Sequence, residues 1–461
     1  MSGIGLIITL IIAIVLMILL ISKLKVHAFL ALIGISLLMA IVVGIPLPKI
    51  ADVIGAGFSG TFTSIGIVII FGALVGVLVE KTGGAIKIAN AVVKLVGKKN
   101  PELAMLIMGW IVSIPVFCDS GFVILNPIRK ALQKRTLKSS VAMTVSLSAG
   151  LYISHVMIPP TPGPIAAAGN VGLADNLLLV IGIGALVSIP CLVTGYLYSL
   201  YIGKRVKSEE DLDTEHVEDV EKAYEEFVAS YGKLPSTALS FAPIIVPIIL
   251  MALGSIASIL KWGGALGDIT TFLGKPIIAL AGGVIFGIIL LAGTKRMGDF
   301  YEMTDDTLKV VGPILFVTAA GGVLGKVITE AGFVGYIQEN AASLSTVGIF
   351  FPFLIAAILK VAQGSSTVAI TTTSAIMGSF AASDSMMAVL GLNTPLAAAF
   401  TVMAIGAGAM TVSHANDSYF WVVTNFGRLT PQDGYKTQTM VTLVLGVTAI
   451  LFIWLLSLFL F

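Results

Sequence analysis

Four short stretches of this sequence hold side chains able to do chemistry. Phe117-Cys118-Asp119-Ser120-Gly121-Phe122 sets a carboxylate beside a thiol, a hydroxyl and a glycine. Ser154 and His155 precede a proline-rich run that ends at Pro164. Gln363-Gly364-Ser365-Ser366-Thr367 is small and polar throughout, and Ser413-His414-Ala415-Asn416-Asp417-Ser418 joins a histidine, an amide and a second carboxylate. All four lie in apolar surroundings, where an ionised side chain costs roughly 2.5 to 3.5 kcal/mol on insertion scales, so their titratable groups are candidate functional groups. Desolvation raises the pKa of an aspartate and lowers that of a histidine. Asp119, His155, His414 and Asp417 are therefore candidates for carrying a coupling proton.

A small carboxylate ligand needs hydrogen-bond donors, and the positive N-terminal ends of half-helices supply them without a buried lysine. Gly121, Gly163 and Gly364 let backbone approach such a ligand, while Ser120, Thr161, Ser365, Ser366, Thr367 and Asn416 read its hydroxyls. None of the four stretches contains an arginine, so backbone and hydroxyl groups do most of the anion binding. Plainer roles fit several of these residues. Asp417 suits the cap of a half-helix starting near Ser418, either histidine suits core packing, and the Ser and Thr hydroxyls suit free backbone groups inside a membrane. A hydrolase built from Ser154, His155 and Asp119 fails on geometry, because adjacent residues on one helix point about 100° apart. Neither Gly-x-Ser-x-Gly nor His-Glu-x-x-His occurs. Cys118 and Cys191 give neither a disulfide framework nor a metal-ligand spacing, and no cofactor or metal is expected.

The elements that must position these groups are membrane helices. The chain of 461 residues is 57% hydrophobic and only 11% charged, with a mean hydropathy of +1.03; a soluble globule could not cover that much apolar surface. An all-α polytopic membrane protein in the cell (inner) membrane follows, with the lipid bilayer as its surroundings. The net charge of +2 falls in short basic clusters between apolar runs and not on a folded face, so it points to no nucleic-acid partner. Ile4–Ile21 reads as a retained first span, and Lys23 and Lys25 after it are cytoplasmic under the positive-inside rule. Spans over 28–45 and 58–79 follow, and the lysine-bearing segment 83–99 suits the cytoplasmic interface. The apolar region 102–128 has basic clusters on both sides, so it enters and leaves on one side as a re-entrant hairpin, with Pro115 and the Cys118-Asp119-Ser120-Gly121 tip at membrane depth. The span that begins at Ser139 is broken by Pro159, Pro160, Pro162 and Pro164, and a span over 177–203 returns the chain inside.

Residues 208–226 hold ten carboxylates and read as a solvated linker. The second half then repeats the first with reversed orientation. Spans over 241–260, 272–292 and 310–328 lead to a hairpin over 347–380, flanked by Glu339 and Asp384 instead of basic clusters. A span over 395–426, broken at Ser413–Ser418, and a last span to Phe461 complete it. The division is 1–207 as first transmembrane repeat, 208–234 as acidic cytoplasmic linker and 235–461 as second, inverted repeat. Each repeat has about five transmembrane helices, a re-entrant hairpin and a broken helix. The isolated Lys49, Lys261, Lys275 and Lys326 fall on or near the outer side and run against the charge pattern. Inverted repeats with discontinuous helices mark secondary transporters, whose sites form near the midplane.

The first hairpin tip, the run His155–Pro164, the Gly364–Ala369 tip and Ser413–Asp417 together closely resemble the gluconate permease family, in the same order along essentially the whole chain. The resemblance implies a secondary active transporter, not an enzyme, that takes up gluconate or a related sugar acid or short hydroxy acid by proton symport. It also implies a homodimer with an elevator-like movement. A sodium-coupled carrier or an antiporter of another small carboxylate, such as glycerate or D-serine, has the same architecture, since carbonyls and hydroxyls at the tips hold Na⁺ as readily as a carboxylate.

Overall fold

Helices here start and stop where the sequence removes or supplies a backbone partner. The computed structural model describes residues 4–96, 100–212, 217–331, 348–383, 385–415 and 417–460, and is helical, with no strand among them. Asn416, Glu339 and Asp384 lie outside the described residues. The first half contains α1 (Ile4–Ser22), α2 (Ala28–Val43), α3 (Leu47–Lys81), α4 (Gly84–Val96), α5 (Pro101–Val112), α6 (Cys118–Thr136), α7 (Ser140–Met157), α8 (Pro162–Asn170) and α9 (Leu177–Gly203). The linker carries α10 (Glu209–Leu212) and α11 (Val217–Ser230). The second half contains α12 (Thr237–Ile259), α13 (Gly264–Gly274), α14 (Pro276–Gly293), α15 (Phe300–Glu330), α16 (Phe350–Gln363), α17 (Ser366–Met377), α18 (Pro395–Met410), α19 (Ser418–Phe426) and α20 (Met440–Leu460).

Both hairpins and both broken helices are present. α5 is 12 residues long, about 18 Å at 1.5 Å per residue, too short for a hydrocarbon core of about 30 Å. It turns at Ser113–Phe117, where Ser113 Oγ donates to Val116 O at 2.8 Å. The turn thus falls around Pro115, and the expected Cys118–Gly121 tip forms the first turn of α6. α16 stops at Gly364, whose φ of +88° is a left-handed helix end that favours glycine. Ser365 then caps α17 by accepting from Val368 N at 3.3 Å. The first break falls where the prolines at 159, 160, 162 and 164 remove helix donors. The second ends where Asp417 Oδ1 accepts from Tyr419 N at 3.1 Å and starts α19.

α3 and α15 run beyond the expected spans, and α13 was not expected. Pro46 at the N-cap and Pro48 in the first turn start α3 well before Phe58. α15 begins with an exposed acidic turn around Glu302, Asp305 and Asp306 that an apolar-run reading passes over.

Burial separates an inner from an outer layer. All 18 residues of α7 are buried, whereas the span Leu177–Gly203 is 33% buried and exposes Leu186, Ile189, Val193 and Leu197. α7, α8, α17 and α18 form the interior, whereas α9, α12 and α20 present apolar faces outward. Close approach depends on glycine. A Cβ at Gly150 would stand 2.0 Å from Leu106 O across the α5–α7 contact, and one at Gly76 would stand 2.0 Å from Pro115 O, where α3 meets the first hairpin turn.

The linker is not merely solvated. Glu210 is buried, and its Oε2 and Oε1 each lie 2.8 Å from a terminal nitrogen of the wholly buried Arg129. Ser140 Oγ donates to Glu210 Oε2 at 2.5 Å, and Asp211 Oδ1 accepts from Ser140 N at 2.8 Å. Arg129 also donates to Asn126 Oδ1 at 2.7 Å and to Phe426 O at 3.4 Å. One turn of the acidic segment thus ties the middle of α6 to the start of α7, and through Arg129 to the end of α19.

Candidate functional site

The second hairpin and the second break meet at a buried ion pair that the sequence reading did not single out. Lys360, in the last turn of α16, is wholly buried. Its Nζ donates to Asp417 Oδ2 at 2.6 Å and to Gly364 O, and lies 5.7 Å from the centre of the Tyr152 ring. Asp417 Oδ2 also accepts from Ser413 Oγ at 2.5 Å and from Tyr152 Oη at 3.5 Å. Asp417 is therefore a helix cap and an ion-pair partner at once.

Bracing around the break is dense. Ser413 N donates to Thr442 Oγ1 at 2.9 Å, and Thr439 Oγ1 donates to Ser413 O at 2.6 Å. Thr439 belongs to a π-helical turn, Tyr435–Thr439, at the head of α20. Val412 holds a φ of +59°, a left-handed conformation that costs a β-branched residue about 1–3 kcal/mol and persists only where its surroundings impose it.

Beside this pair lies a polar cavity of about 260 Å³ lined by Cys118, Asp119, Tyr152, His155, Gly364, Ser365, Ser366, Thr367, Asp417, Ser418 and Tyr419. The first turns of α6 and α17 both border it, so two positive helix ends converge on one space. Tyr152 Oη is 2.5 Å from Ser366 Oγ, which joins α7 to the second hairpin tip. Ser418 Oγ donates to Asp119 Oδ1 at 3.1 Å, which joins the first hairpin to the second break. Asp119 has no basic partner among the described residues. His155 is buried, and its Nδ1 has no hydrogen-bond partner among them.

Asp119 also borders a second, wider cavity of about 580 Å³, lined by Glu80 and Lys81 of α3, Ser120 of α6, and Asp306, Thr307 and Lys309 of α15. The carboxylate stands between the small cavity and a larger one rimmed by charge.

The expected site residues divide accordingly. Asp119, His155, Gly364, Ser365, Ser366, Thr367 and Asp417 share the small cavity, and Ser120 faces the wider one. Four are placed elsewhere. Thr161 Oγ1 lies 2.9 Å from the carbonyls of His155 and Ile158, closing the break's own backbone. Gly121 lets α6 approach α7, since a Cβ there would stand 2.7 Å from Leu151 Cδ2, and Gly163 faces Ile370 of α17. His414 Nε2 donates to Val361 O at 3.2 Å on the outer side of the second hairpin. Lys360, Tyr152, Ser418 and Tyr419 were missed. A lone lysine inside an apolar hairpin carries the same signal that singled out Asp119; Ser418 lies in the stretch already marked but reads there as a helix start, and the two tyrosines have no local signal.

A polar cavity bordered by two hairpin tips and two broken helices, among long apolar helices, defines a membrane transporter. The chain belongs to the GntP permease family: residues 5–459 match the family described as GntP family permease. It is 33% identical over 462 residues to the inner membrane permease YgbN of Escherichia coli, covering 98% of this chain and 99% of that one. It is 28% identical over 446 residues to the gluconate permease of Pseudomonas aeruginosa, covering 96% and 95%. The fold is shared with the Alcanivorax borkumensis YdaH transporter, with a TM-score of 0.62 at 15% identity over 94% of this chain and 97% of that one. The protein is a multi-pass inner-membrane permease and not an enzyme.

Proposed function

We propose that this permease is a secondary active transporter that takes up gluconate or a closely related sugar acid together with a proton. The observation that carries the reading is the small cavity itself. Two helix N-termini favour a carboxylate there, the Ser365, Ser366 and Thr367 segment offers hydroxyl-sized partners, and the unpartnered His155 Nδ1 leaves one buried polar atom for a ligand to satisfy. At about 260 Å³ the cavity falls below the roughly 300–1,000 Å³ of drug-sized sites, which suits a short acid. Gluconate permeases among the relatives support the same substrate class.

Coupling follows from charge. A substrate carboxylate placed beside an ionised Asp119 sets two like charges in one desolvated space, and a proton on Asp119 removes that repulsion. Substrate and proton therefore strengthen each other's binding, and by linkage the effect is mutual. Asp417 is already neutralised by Lys360, which leaves Asp119 as the carboxylate that exchanges the proton and His155 as its neighbour across the cavity. Release runs through the wider cavity past Glu80 and Lys81 to the side that the positive-inside rule makes cytoplasmic.

Calorimetric titration of the purified protein with gluconate, glycerate and D-serine, in two buffers of different ionisation enthalpy, tests this reading. Gluconate should bind with uptake of about one proton at neutral pH. Binding of D-serine or glycerate in preference to gluconate, or binding with no proton taken up, contradicts it.

A further inference from the structure

We propose that the ammonium of Lys360 is a resident cation, built into the junction of the second hairpin and the second broken helix, so that this carrier binds its substrate without a metal cation. The inference rests on the transport reading for what the junction serves; the cation position stands on geometry alone.

The junction has the donor set of a monovalent cation site. α16 ends at Gly364, and the C-terminal end of a half-helix carries the negative end of its dipole. The Gly364 carbonyl, the Asp417 carboxylate 2.6 Å away and the face of the Tyr152 ring surround one point, and Lys360 Nζ occupies it. Ser413 Oγ, at 2.5 Å, holds the same carboxylate oxygen in place. Carbonyls at the ends of unwound half-helices are the groups with which broken-helix carriers hold sodium. Here the cation is tethered, since the lysine stem leaves the last turn of the same half-helix, and it is wholly buried. A second cation in that cage would meet the ammonium charge at contact distance.

Two consequences follow. The sodium-coupled alternative loses its site at this junction. The junction is neutral before substrate arrives, so the substrate's charge is answered by the two helix N-termini and by the proton on Asp119.

The test uses the full-length protein in detergent, with choline as the inert cation at constant ionic strength. Thermal unfolding of the unaltered protein should be the same in choline, Na⁺ and methylammonium. Lys360→Ala leaves Asp417 without its partner and opens a hole of ammonium size. It should melt lower in choline and recover by about 3 °C or more at saturating Na⁺ or methylammonium, a rescue that lost packing alone would not give. Lys360→Met combined with Asp417→Asn, a neutral pair of the kind that commonly replaces a buried ion pair without loss of stability, should fold and respond to neither cation. Stabilisation of the unaltered protein by Na⁺, cation rescue in the neutral pair, or a folded Lys360→Ala protein indifferent to both cations overturns the proposal. If Lys360→Ala does not fold, the unaltered protein and the neutral pair decide it. Gluconate that fails to bind the unaltered protein would defeat the substrate reading and leave these melting results standing.

Discussion

At the level of single residues, the account turns on two aspartates in different electrical settings. Asp417 is held by Lys360 and Ser413 and caps α19, whereas Asp119 accepts from Ser418 and stands between two cavities. Asp119→Asn keeps the shape of the site and removes the group that exchanges the proton. Uptake against a gradient should fall at least about tenfold in this variant, while exchange of labelled for unlabelled substrate across vesicles persists. Equal loss of both would assign Asp119 to binding alone. His155→Phe should weaken substrate binding by about 1–3 kcal/mol if its ring nitrogen satisfies the ligand, and equilibrium binding reads this directly. Asp119 and Asp417 were legible because a carboxylate in an apolar run is conspicuous. Lys360 carries the same signal, but its pairing with Asp417 depends on a fold that no local pattern reveals.

At the level of elements, the hairpins and breaks were legible from proline, glycine and the charge flanks, because those residues act on the backbone where they stand. Ser113–Phe117 shows the limit: the chemistry drew attention to Cys118–Gly121, but the turn forms where Ser113 closes it. The acidic linker shows another, since a run of carboxylates reads as solvated and the single insertion of Glu210 into a pocket around Arg129 is set by tertiary contact. Removing one side of a buried pair leaves an uncompensated charge. Arg129→Met should lower stability by about 3–5 kcal/mol, checked by thermal unfolding in detergent, and an unchanged melting temperature would reduce the contact to a surface one. Burial by itself raises the Glu210 carboxyl, but the Arg129 guanidinium, then Ser140 and Lys130, hold it below its ordinary value of 4.5. Glu210 therefore contributes stability that is fully present above its unfolded value and is lost as pH falls through the lower folded one. That part of the acid sensitivity should vanish in Glu210→Gln, measured as melting temperature between about pH 5 and pH 3.

At the level of the whole molecule, the layer order explains why sequence hydropathy found the outer helices more sharply than the inner ones. α9, α12 and α20 present apolar faces outward and read as long apolar runs. The largely buried span Ser140–Asn170 contains serines, threonines and glycines and has a hydropathy of 1.6 against 2.5 for Leu177–Gly203, because its neighbours are protein. α3 meets the first hairpin turn closely at Gly76, where a Cβ would stand 2.0 Å from the Pro115 carbonyl oxygen. Gly76→Val should lower stability by at least about 1–3 kcal/mol through overpacking, read as a fall in melting temperature, and a neutral result would mean that α3 and the first hairpin separate easily.

The most direct measurement is uptake of labelled gluconate into proteoliposomes under an imposed inward proton gradient, in choline buffer free of Na⁺. The account predicts accumulation above the outside concentration that collapses when a protonophore is added. Accumulation that requires Na⁺, or gluconate entry that is indifferent to the proton gradient, contradicts it.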